Sequence, residues 1–103
     1  MTSRKSDAWL CRAYGEGLQR AAVGEWNSFH VNAYAAGTGA LMTGFVTEKG
    51  SPSEISLRHL GEKLYNVEYR VKYEGVYTLY VVWEGEHISG SPFRIYVTKK
   101  ELW

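Results

Sequence analysis

The sequence predicts an all-β fold, a two-layer sandwich of about seven strands, and three observations carry the prediction. Apolar and polar side chains alternate over short runs, which is the period of a half-buried strand. Turn signals, most of them glycines, separate those runs at roughly 8–12-residue intervals. Aromatic residues make up 15% of the 103, and aromatic and β-branched enrichment favours strands. No stretch shows a helical period of useful length.

Taken in order, residues 1–8 are polar and are expected to form a flexible lead-in to a single domain at 9–98, with a tail at 99–103. Gly15, Glu16, Gly17 and Leu18 open the ordered part, and residues 21–23 suit a short edge strand before a turn at Gly24. Phe29, Val31 and Ala33 alternate with His30 and Asn32, which predicts a strand over 27–34. Residues 35–39 form a loop. A third strand covers 41–47 and ends at the Glu48, Gly50 and Pro52 cluster. A fourth covers 54–60 and closes at Gly61. Tyr65, Val67, Tyr69 and Val71 share one face of a strand over 64–71. Gly75 leads into a long strand over 76–83, and the last strand is 93–97. Tyr77, just after Gly75, fits either a tyrosine corner, whose phenol caps a backbone group, or a plain core tyrosine.

Alternation assigns Phe29, Val31, Leu41, Phe45, Ile55, Leu57, Tyr65, Val67, Tyr69, Leu79, Val81, Trp83, Phe93, Ile95 and Val97 to the core. Burying each large one stabilises the fold by roughly 1.5–3 kcal/mol relative to exposure. Composition excludes several functions. The formal charge is +1, from 12 basic and 11 acidic residues, which argues against nucleic acid as the main partner. The one cysteine, Cys11, has no partner for an internal disulfide and is expected in the flexible entry. His30, His59 and His87 fall on separate segments, so no metal-ligand spacing arises, and no cofactor motif is present. Catalytic cysteine, paired-carboxylate and phosphate-loop patterns are absent, so the chain is read as non-enzymatic.

The final third carries a longer signal. Gly75, Tyr77, Trp83, His87, Ile88, Gly90, Ser91, Pro92 and Phe93 stand at the spacing of a Gly-x-Tyr strand followed by a His-Ile-x-Gly-Ser-Pro-Phe turn. This resembles the signature of filamin-type immunoglobulin-like repeats, and the match extends over residues 15–98. Glu54-Ile55, Arg58 to Gly61, and Leu64-Tyr65-x-Val67-x-Tyr69 make the chain most similar to the C-terminal repeat of a filamin. Two departures stand out. Ser89 replaces a frequent proline, which should soften that turn, and Thr47-Glu48 replaces a Gly-Pro pair, which would let the third strand run on.

The resemblance implies an immunoglobulin-like β-sandwich of filamin-repeat type, with strands A, B, E and D in one sheet and C, F and G in the other. It implies homodimerisation through strands C and D, crosslinking actin through a separate domain of the full-length protein. The alternative is addition of peptides, from cytoplasmic tails of membrane receptors or from adaptors, as an extra strand in the C–D groove. Either places the protein in the cytoplasm on the cytoskeleton. The candidate strip is Met42, Gly44 and Val46 on C, with Ser56, Arg58 and His59 on D. If Leu41 and Phe45 point inward, Met42, Gly44 and Val46 fall on the outward side of their strand, whereas a one-residue slip would swap the faces; an apolar outward strip calls for a cover. Gly44 would let another backbone approach closely. Near a two-fold axis Arg58 would need an acidic or carbonyl partner, and Glu48 or Glu54 could serve.

Overall fold

A computed structural model describes residues 7–46 and 53–99. Nine strands form two sheets: β1 (Arg12–Tyr14), β2 (Arg20–Ala22), β3 (Asn27–Asn32), β4 (Leu41–Val46), β5 (Ser53–Gly61), β6 (Leu64–Val71), β7 (Gly75–Trp83), β8 (Glu86–His87) and β9 (Phe93–Thr98). One sheet has the order β1-β3-β6-β5 and the other β2-β9-β7-β4, with β8 pairing β7. This is the expected division of A, B, E and D from C, F and G. The two strands the alternation did not announce, β1 and β8, are three and two residues long, too short to show a period.

The first strand is split between the sheets. β1 pairs antiparallel with β3, and β2 pairs parallel with β9. The crossing is made by a 3₁₀ turn, Glu16–Leu18. A Cβ at Gly17 would stand 2.6 Å from the Ser28 carbonyl oxygen, so only glycine lets this turn lie on β3. The Tyr69 hydroxyl donates to the Gly17 carbonyl from inside the core.

Packing begins earlier than residue 15. The Asp7 N–H bonds the Ala36 carbonyl at 2.8 Å, and the Asp7 carboxylate caps a 3₁₀ turn over Ala8–Leu10. Ala8 and Cys11 are buried. The expectation that Cys11 lies in a flexible entry is therefore corrected, because β1 and this turn seal it against the sandwich.

Phe29, Val31, Val67, Tyr69, Leu79, Val81, Trp83, Ile95 and Val97 form the buried centre, and Leu41, Phe45, Tyr65 and Phe93 pack partly buried against it. Tyr77 donates its hydroxyl to the Tyr73 carbonyl at 2.7 Å, the geometry of a tyrosine corner. Two expected core residues depart: Ile55 is 36% exposed and Leu57 41%.

The His-Ile-Ser-Gly-Ser-Pro-Phe turn has a clear mechanical role. β8 pairs with β7 at Val82 and Trp83, while β9 pairs with it from Gly75 to Leu79. Between them Val81 needs other partners. Its N–H is accepted by the Ser91 hydroxyl at 2.9 Å and its carbonyl accepts the Ile88 N–H at 3.0 Å. The Ser91 hydroxyl also lies 2.7 Å from His87 Nδ1, and Ile88 is buried beneath the turn. The turn forms with Ser89 in place of proline.

Candidate functional site

Each sheet ends in one short and one long edge strand. β1 and β2 are three residues each, whereas β4 has six and β5 nine. The opposite edges, β1 and β2, are joined by the short turn Glu16–Leu18 and so lie together, which leaves the long edges, β4 and β5, on the other side of the sandwich. An edge strand carries a row of unpaired backbone groups, which folds usually blunt with charge or a bulge. β5 is blunted both ways: Glu54 and Arg58 lie along it, and its register shifts between His59 and Gly61. β4, Leu-Met-Thr-Gly-Phe-Val, has neither charge nor bulge.

Cross-strand register decides which way each side chain points, since directly opposed residues share a face. Met42, Gly44 and Val46 oppose Val82, Tyr80 and Thr78 on the outside of their sheet. Met42 is 61% exposed and Val46 59%. Leu41, Thr43 and Phe45 oppose Trp83, Val81 and Leu79 on the inside. Thr43 satisfies its inward hydroxyl by donating to the Tyr80 carbonyl at 2.8 Å. Phe45 sets its ring edge-on to Tyr69 and Tyr77, at 5.1 and 5.7 Å.

On β5 the six-residue strip divides. Ser56 and Arg58 oppose Glu68 and Asn66 on the outer face, while His59 opposes Tyr65 on the inner face. Ile55 and Leu57 share the inner face with His59, opposing Tyr69 and Val67. They point toward the other sheet, yet β4 does not cover them. The outcome is a groove between the two edges, floored by Ile55 and Leu57 and ended by His59, whose ring stacks on Tyr65 at 4.7 Å.

Sequence reasoning missed Ile55 and Leu57 as groove residues because period two marks a face, not whether anything lies over it. Glu54, expected as a partner for Arg58, is held instead by Arg70 through contacts of 2.5 and 3.0 Å. Arg70 in turn lies over the Trp26 ring. Glu48, Thr47 and the extension of the third strand fall outside the described residues.

Gly44 also has a role inside its own sheet. A Cβ there would stand 2.7 Å from the Tyr80 hydroxyl oxygen. The glycine makes room for the ring of its own cross-strand neighbour, and that hydroxyl reaches the β4 edge.

Among the described residues no group of three or more His, Cys, Asp or Glu converges. Cys11 is remote and buried, and burial together with the Asp7 carboxylate pushes its thiol up to about 11. Such a thiol is a poor nucleophile at neutral pH. Two open concavities, lined in part by Arg20, Trp26 and His30 and by Tyr34, Leu60 and Leu64, lie away from the β4 edge. No helix among the described residues is long and apolar enough to cross a membrane.

The arrangement has clear relatives. The filamin/ABP280 repeat family matches residues 5–94. Filamin-A of Drosophila melanogaster is 42% identical over 91 residues, which are 88% of this chain and 4% of that protein. Filamin-C of Rattus norvegicus is 42% identical over 92 residues, 89% of this chain and 3% of that protein. The chain thus spans a small fraction of these relatives' length. The Lin-41 filamin domain crystal structure superposes with a TM-score of 0.75 at 17% identity, covering 94% of this chain and all of that one. Domains 4 and 5 of the S-layer protein SbsC reach 0.62 at 17% identity, covering 85% of this chain and half of that one, a likeness of fold alone. With the sandwich, the Ser91 turn and the family match in agreement, the chain belongs to the filamin repeat family.

Proposed function

We propose that this repeat is a non-enzymatic interaction module that takes an extended peptide segment onto the free edge of β4, over the floor formed by β5. The carrying observation is the uncovered pair Ile55 and Leu57 beside an uncharged, unbulged edge. In such β-addition the main chain supplies generic affinity and alternate side chains in pockets supply choice. Segments from the cytoplasmic tails of membrane receptors or from adaptors are the partners this reading favours. Actin would be engaged through another domain of a longer cytoskeletal chain.

Peptides selected on this protein from a random display library should protect the β4 amides from hydrogen exchange. Leu57→Asp should weaken their capture by roughly tenfold or more without changing the circular dichroism spectrum. Capture that survives Leu57→Asp and leaves β4 unprotected would defeat the proposal.

Homodimerisation is the second reading. The exposure of Met42 and Val46 beside Tyr80 and Val82 favours it, since a second copy could cover them. Against it stands the commitment of Leu41, Thr43 and Phe45 to their own core, contacts or hydrogen bonds. A β4–β4 pairing about a two-fold axis would bring no side chain to Ile55 and Leu57. Sedimentation at ~100 μM separates the readings, because an interface of standard size associates far more tightly. A dimer lost on Met42→Asp would support the second reading, and a monomer would remove it.

A further inference from the structure

Resting on the strand-addition reading, we infer that the β4–β5 edge selects a six-residue segment of fixed side-chain order, with a carboxylate at one end facing His59. Cross-strand partners and ring contacts place three rungs of the groove. Ile55 opposes Tyr69, whose ring meets Phe45, so Ile55 and Phe45 form one rung. His59 opposes Tyr65, whose ring meets Trp83 at 6.3 Å, and Trp83 opposes Leu41. His59 and Leu41 therefore form the opposite end rung. Leu57 and Thr43 lie between them, opposing Val67 and Val81.

A strand added antiparallel to β4, the more stable pairing, meets Val46 first and Leu41 last. Its side chains then alternate between the outer face and the groove. Opposite Val46 and Met42 it needs apolar side chains, since both neighbours are exposed and apolar. Opposite Phe45 and Thr43 its side chains enter the groove onto Ile55 and Leu57, and these too must be apolar. Opposite Gly44 the neighbour is the Tyr80 hydroxyl, which lies where a Cβ would be, so a hydrogen-bonding side chain fits there. Opposite Leu41 the side chain turns inward beside His59. That imidazole is fixed by its stack on Tyr65 and presents an N–H donor at an exposed groove end, where a carboxylate accepts.

The resulting order is apolar, apolar, polar, apolar, apolar, acidic. It differs from an ordinary edge addition in being apolar on both faces of the added strand.

Display selection on this protein, sequenced in bulk, tests the order directly. The expected consensus follows it, and a selected peptide should bind about threefold better with Glu than with Gln at the last position, the scale of an exposed charged contact. His59→Ala should erase that difference and leave the apolar positions in force. A consensus in reversed order, one lacking the acid, or an acid preference that His59→Ala does not change would overturn the inference and leave strand addition standing. Selected peptides indifferent to Leu57→Asp would instead remove the strand-addition reading beneath it.

Discussion

A methyl group added at Gly39 and one added at Gly44 meet different obstacles. At Gly39 a Cβ would stand 2.6 Å from Cε2 and Nε1 of Trp83 and from Cγ of Glu84. The indole is buried in the core and has nowhere to go, so Gly39→Ala should cost about 1–3 kcal/mol. At Gly44 the obstacle is the free end of the Tyr80 ring, which can swing aside, and Gly44→Ala should cost under about 1 kcal/mol. Urea denaturation of the two variants checks the ranking. Titration acts at the same scale. Burial raises the Cys11 thiol from an ordinary 9.0 to about 11, and burial pushes the Tyr69 phenol well above its ordinary 10.0. Both keep their protons in the fold at pH values where the unfolded chain has released them. Their contribution is therefore full below about pH 9 and is lost as pH rises toward 11 and beyond. Stability measured against pH should fall across that window, and Cys11→Ala should flatten its first part.

At the scale of elements, β5 and β6 show how position in a sheet changes the meaning of an apolar residue. Leu57 and Val67 are direct partners, but Val67 is fully buried and Leu57 is exposed on the floor of the groove. Val67→Asp would bury an unpaired charge and should unfold the domain. Leu57→Asp should leave it folded, and thermal melts followed by circular dichroism distinguish the two. The turn after β8 makes a second case. Ser91→Ala removes the acceptor for the Val81 N–H and should cost about 1–3 kcal/mol for leaving it unpaired, read by the same melts. Its motif was legible in the sequence, while its purpose was not. Only the pairing of β8 and β9 with different stretches of β7 shows that Val81 needs a cap.

Across the whole molecule the two outer faces differ in character. The β3–β6–β5 face carries Ser28, His30, Asn66, Glu68, Arg70, Glu54, Ser56 and Arg58. The opposite outer face carries Met42, Val46, Val76, Tyr80, Val82 and Tyr96, with Thr78 and Arg94 among them. One apolar core joins both sheets without a disulfide, since Cys11 is a free thiol. Far-UV and near-UV circular dichroism should therefore report one coincident unfolding transition. Transitions that separate would mean the sheets unfold independently.

The sandwich, its turns and most of its core are legible along the chain, because alternation and turn chemistry are local properties. So is the fact that Met42, Gly44 and Val46 share a face. It takes the packing of the two sheets to leave Ile55 and Leu57 uncovered, to turn Ser56 and Arg58 away from His59, and to set the Tyr80 ring against Gly44. The same packing buries Ala8, Cys11 and Ile88, which lie in segments too short to show a period. Burial and edge exposure depend on what the opposite sheet covers, and that is fixed by contacts between residues far apart in the chain.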